Sequence, residues 1–222
     1  DRGEEPNIDS GPMWVSEDIW VRNQNDGLTN HSHQNPEYMA LPTHFNYVYV
    51  QVRNRGCSAT IAGQETVSLH WAKAATALSW TNYWNGSITS PALMGDVIGV
   101  LPVPSLQPGE SAILEFPWQP ENPNNYVGIN SEPHHFCLLS RILSTNDPMA
   151  VPEGSSVSAN TRNNNNIVWK NVSVVDLIPG NIVGGGGGWQ DEVLPGAVVF
   201  LGNAWKNIRQ FDLVLDHPDG VL

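Results

Sequence analysis

Cysteine is scarce in this sequence, with two in 222 residues, too few for a disulfide framework and silent on redox compartment. Charge is scarce as well. Charged residues make up 14% of the chain, and Lys and Arg number 10 against 22 Asp and Glu. A net charge of -12 and a pI near 4.8 leave no footprint for nucleic-acid phosphates or an anionic bilayer. No apolar run reaches the roughly 18 residues a membrane span requires, and the opening DRGEEPNIDSG has no charged-then-apolar signal pattern. Nucleic-acid partners and membrane insertion are therefore set aside. The chain opens on Asp1 rather than Met, as expected of a piece processed or excised from something longer. It has no G-x-S-x-G elbow to support a Ser-His-Asp triad. Asp18, Asp26, Asp96, Glu110 and Glu115 fall at turns or on outer faces, with nothing to pair them as acid and base. No enzyme is expected.

What is present suits a β protein. Hydrophobic residues reach 40%, and 20 Gly, 17 Pro and many Asn supply turn chemistry. The clearest stretch is Asn46 to Gly56, NYVYVQVRNRG: Val48, Val50 and Val52 share one face, and Tyr47, Tyr49, Gln51 and Arg53 share the other. That period of two predicts a strand with one side on a core and one toward water. Similar segments recur between turns. Asp18–Arg22 puts Ile19 and Val21 inward; Thr66–Lys73 puts Val67, Leu69 and Trp71 inward and Ser68, His70 and Ala72 outward. A short strand at Asp96–Val100 precedes Pro108-Gly109, a pair suited to the centre of a type II turn. Glu110–Trp118 then puts Ala112, Leu114, Phe116 and Trp118 on one face. His135–Leu143 is apolar on both parities, as for a central strand, and an Asn-rich run leads into Ile167–Asp176. About seven such strands predict an antiparallel β-sandwich of the immunoglobulin-like class.

The order DIWV, YVYVQVRNRG, GDVIG, LQPGESAILEFPW and NTRNNNNIVWKNVSVVD resembles the bacterial cell-adhesion-related (CARDB-type) immunoglobulin-like domain. The resemblance spans about residues 16 to 176 and is most specific at Leu106 to Trp118. It implies an extracellular, non-catalytic module for adhesion, spacing or assembly in a larger bacterial surface or secreted protein. The chain departs from the family in the long Ala74–Pro91 tract and its bulky aromatics. The division expected is a lead-in at 1–17 anchored by Met13, Trp14 and Val15, a sandwich at 18–176, a Gly-rich linker at 177–196 and a β-hairpin within 197–222. Since an isolated hairpin is marginal in water, this last unit would pack on a partner or belong to a second β unit.

Three places carry candidate chemistry. Trp80, Tyr83 and Trp84 would form a platform that stacks on sugar rings, making the chain a carbohydrate-binding accessory module of a secreted hydrolase; alternatively they fold back to cap the sandwich. Calcium is the cofactor an acidic, oxygen-rich loop would take, with Asn23, Asn25 and Asp26, or Asp216 and Asp219, as ligands. The alternative is ordinary turn residues bonding their own backbone. His31 and His33, with His44, His134 or His135, would be the start of a zinc or copper site, or simply solvated loop residues. Cys57 and Cys137, at opposite ends of an immunoglobulin-like sandwich, are expected as free, buried thiols. The partners expected are other modules, or copies of the chain, paired through strand edges.

Overall fold

A computed structural model describes residues 4–8, 11–74 and 78–177. The hairpin expected within 197–222, nearly all of the Gly-rich linker, and Asp216 and Asp219 lie outside the described residues.

The alternating segments form an antiparallel sandwich. One sheet has the order β1 (Ile19–Arg22), β3 (Asn46–Arg53), β6 (Ser111–Trp118). The facing sheet runs β5 (Gly95–Pro102), β4 (Thr66–Lys73), β7 (His135–Leu143), β8 (Ile167–Ser173). The chain changes sheet between β3 and β4, between β5 and β6 and between β6 and β7, giving the immunoglobulin-like arrangement. A parallel pair, β2 (Glu37–Tyr38) with β9 (Val175–Asp176), fastens the end of the last strand to the first long loop. Among the described residues no helix is long and apolar enough to cross a membrane.

The inward parity behaves as its spacing predicts. Ile19, Val21, Val48, Val50, Val67, Leu69, Phe116 and Leu138 all lie in one core between the sheets. Each such side chain contributes about 1.5–3 kcal/mol through burial. Gly109 has φ +84°, and Glu110 N–H donates to Gln107 O at 3.0 Å, closing the type II turn that starts β6.

The outer faces depart from expectation, because both are covered. Tyr49 points away from the core yet is fully buried. Loop 23–34 crosses it: Trp20 stacks on Tyr49, His31 packs on Trp20, and Trp20 Nε1 donates to Gly27 O. Only glycine fits at position 27, since a methyl there would overlap the Tyr49 ring. On the four-stranded sheet, Ala72, Cys137, Leu139, Ile167 and Trp169 form a second apolar cluster with Met13, Trp84 and Val157. β7 is apolar on both parities because it feeds both clusters.

Part of that cover is a helix, α1 (Val157–Asn163), where the sequence reading has irregular chain running into an Asn-rich turn. Ser156 caps it by accepting Ala159 N–H. The asparagines do not adopt left-handed dihedrals; among the described residues Leu78 is the one non-glycine with positive φ. Asn160, Asn164 and Asn166 instead bond backbone groups through their side chains. The lead-in extends the four-stranded sheet, Val15 bridging to Lys170 beside β8. Both thiols are free, but Cys57 is exposed rather than buried because it sits on the loop after β3.

The end of the sandwich where β4 finishes is closed by Lys73. Its side chain is wholly buried, and Nζ donates to Glu132 O and His135 O at 2.7 Å and to Ala74 O at 3.0 Å. Nζ also lies 5.3 Å from the Phe136 ring centroid and 5.6 Å from that of Tyr126. Burial pulls the Lys73 pKa down to about 8, and the three carbonyls and two ring faces receive the charge that remains at neutral pH.

Candidate functional site

The aromatic tract is a cover rather than a platform. Trp84, on the short 3-10 turn Asn82–Trp84, is 0% exposed, and its Nε1 donates to Leu78 O. Tyr83 is half-buried between the two apolar clusters. Trp80 is half-buried, with the Arg141 guanidinium 4.4 Å from its ring centroid and the His70 ring against its edge. A sugar stacks on an open ring face, and Trp84 has none. Trp80 has one side taken by Arg141, which Glu153 holds in an ion pair. Of the two readings for these rings, capping the sandwich is the one the packing supports.

Beneath that cover sits a Ser-His pair. His70 Nδ1 lies 2.9 Å from Trp84 O, so it donates to the carbonyl, and Nε2 at 3.1 Å then accepts from Ser68 Oγ. Burial lowers the His70 pKa, keeping the ring neutral. Both residues are 7% exposed, and the pair joins β4 to the tract above it.

The structure brings Asn23, Asn25 and Asp26 onto one loop and commits most of their groups to protein, Asn23 Oδ1 being the one left without a donor. Asp26 accepts Arg22 Nε at 2.7 Å and Nη2 at 2.9 Å, and also meets Asn30. Asn25 Oδ1 accepts from the Tyr49 hydroxyl and its amide donates to Glu115. Asn23 donates to Glu37 at 2.7 Å. A calcium ion would have to displace the Arg22 guanidinium from the single carboxylate of this set, which argues against calcium here. The histidines separate too. His33 Nδ1 accepts Val21 N–H at 3.1 Å, while His31 lies on Trp20. Among the described residues no three His, Cys, Asp or Glu side chains gather to hold a metal.

A roomy concavity lies where the sequence reading placed nothing, at the end of the sandwich where β4 begins. It measures about 790 Å³. The loop after β3, the Val103–Leu106 segment and the loop after β7 surround it. One buried side chain ties two of these together: Asn54 donates to Ser58 O at 2.8 Å and Leu106 O at 2.9 Å, and accepts Gly56 N–H. On the third side Ser144 Oγ accepts from the amides of Asn146 and Asp147, and Asn166 donates to Asp147 O. Val52, Val103, Leu106 and Ile142 supply apolar wall, and Cys57 stands on the exposed rim.

Two residues here stand out electrostatically. Glu65, just before β4, is 6% exposed and Asn166, just before β8, is 4% exposed. Neither Glu65 Oε2 nor Asn166 Oδ1 has a hydrogen-bond donor. A signal for both existed in the sequence. Glu65 shares the inward parity of Val67, Leu69 and Trp71, and Asn166 that of Val168 and Val172.

Comparison with protein-family models and with curated proteins gives no match for this chain.

Proposed function

We propose that the chain is a non-catalytic β-sandwich module of a larger extracellular bacterial protein, serving adhesion, spacing or assembly, and that it makes contact by strand addition along β5. The observation that carries this reading is the character of that edge. β5 has β4 on one side and no strand on the other among the described residues. Its eight residues include one charge, Asp96, and its outward Val97 and Val100 are 41% and 57% exposed. Edge strands of solitary domains are usually blunted by lysine, bulges or covering chain. The bulge on this strand lies at the β4 pairing between Leu69 and His70, leaving Val100 and Leu101 extended. β8, the other edge of the same sheet, is covered by the lead-in through Val15.

The resemblance of the Leu106–Trp118 and Asn46–Gly56 segments to the cell-adhesion-related domain supports the same reading. A glycan-binding role through Trp80, Tyr83 and Trp84 has less behind it, because Trp84 offers no surface to a ligand.

The partner favoured for β5 is the same strand of a second copy, which makes one continuous sheet from two. Sedimentation across a concentration series tests this: the chain should self-associate, and Val100→Lys should shift it toward monomer while leaving its thermal midpoint unchanged. A chain that stays monomeric throughout contradicts pairing through β5.

A further inference from the structure

The cavity at the Glu65 end carries an inference independent of the β5 edge. A carboxylate oxygen buried without a donor is destabilising, and so is an unmatched amide oxygen. Here both costs fall on residues that line one cavity. Both residues also flank the end of β7, since Thr66 pairs with Leu143 and Ile142 N–H donates to Asn166 O. Of the lining side chains, the two buried atoms left unpaired are both acceptors, and their complement is a group that is cationic and rich in N–H.

We propose that this cavity binds a primary alkylammonium group, its three N–H donors directed at the Glu65 carboxylate and Asn166 Oδ1 and its apolar stem laid along Val52, Val103, Leu106 and Ile142. The volume of about 790 Å³ falls in the range of roughly 300–1,000 Å³ typical of small-molecule sites. A bare ion uses neither that space nor the apolar wall. Calcium takes about six to eight oxygens, and no cluster of three metal-binding side chains exists among the described residues. Arg53, on the same cavity, is neutralised by Asp18 at 2.6 Å. Arg55 is exposed at the rim, where solvent and salt screen it. The two acceptor atoms are themselves screened from water, so the ammonium meets them through a side-chain rotation of Glu65 or Asn166. The same chemistry comes from a free amine or from the lysine side chain of a partner.

Titration followed by the methyl resonances of Val103, Leu106 and Ile142 tests the proposal, with pentylammonium chloride and Nα-acetyl-lysine amide as the two probes. Saturable shifts with either are expected. Tighter binding of pentylammonium indicates a free amine as the source, and tighter binding of the lysine derivative indicates a protein side chain. Glu65→Gln should weaken the interaction by about tenfold or more, and Asn166→Asp, which adds a second carboxylate, should tighten it. 1-Pentanol, with the same stem and no charge, should leave the resonances in place. Absence of saturable shifts, equal response to 1-pentanol, unchanged affinity in both variants, or the same shifts from calcium chloride would overturn it.

Discussion

β4 is bounded by two charges that both point into the sandwich, and the protein treats them in opposite ways. At its end, Lys73 donates to three carbonyls and lies near two aromatic rings. At its beginning, Glu65 is also buried, though slightly less deeply, and leaves Oε2 without a donor. The first is a cation built into the closure of one end; the second is an anion beside a cavity at the other. Burial alone therefore does not separate a structural charge from one kept for a partner. The count of satisfied bonds does.

The largest effect should come from breaking the satisfied end. Lys73→Met removes the charged donor shared by the carbonyls of Ala74, Glu132 and His135, leaving each with one weaker, neutral donor: Asn130 Nδ2, His135 N–H and Ala74 N–H respectively. Urea unfolding should show a loss of about 1.5–3 kcal/mol, the usual range for hydrogen bonds made by a charged group. A loss within experimental error would mean that the closure is carried by Tyr126 and Phe136 instead.

A smaller effect, which leaves both ends untouched, should follow acidification. Burial, with the charge of Lys170 second, pulls His33 down to about 4, and its Nδ1 must stay unprotonated to accept Val21 N–H. Burial lowers His70 as well, against the opposing pull of the Trp84 carbonyl. Both folded-state values lie below the unfolded imidazole value of about 6.5. The unfolded chain thus takes up protons first, and stability falls as pH drops from about 6.5 toward 4, levelling off below the folded values. Lys73 is charged in both states across that window, so its contribution stays constant. Thermal midpoints at closely spaced pH values check this; a midpoint that holds steady from neutrality to pH 4 would show that these rings are not held neutral.

Much of the sandwich was legible because a single core imposes a period of two. Val48, Val50, Val67, Leu69, Phe116 and Trp118 were assigned by parity alone, and each is buried. Parity says which way a side chain points, not what lies over the far side. Parity therefore points Tyr49 toward water, although loop 23–34 covers it, and leaves Trp84 between a sugar platform and a cap on the sandwich, of which its packing on the four-stranded sheet favours the cap. α1 escaped notice because its seven residues include three polar Asn or Arg and present only Val157, Asn160 and Thr161 to the interior. The cavity was missed for a different reason. Its walls come from three loops that no local pattern brings together, and only the inward parity of Glu65 and Asn166 hinted at it.

The contrast between the two ends is tested most directly by replacing each charge with methionine in one denaturation series without ligand. Lys73→Met should lower the urea midpoint, whereas Glu65→Met should leave it unchanged or raise it, because a buried carboxylate with an unpaired oxygen is exchanged for an apolar chain. If Glu65→Met destabilises the fold as much as Lys73→Met does, then Glu65 is as structural as Lys73 and the distinction drawn between the two ends is wrong.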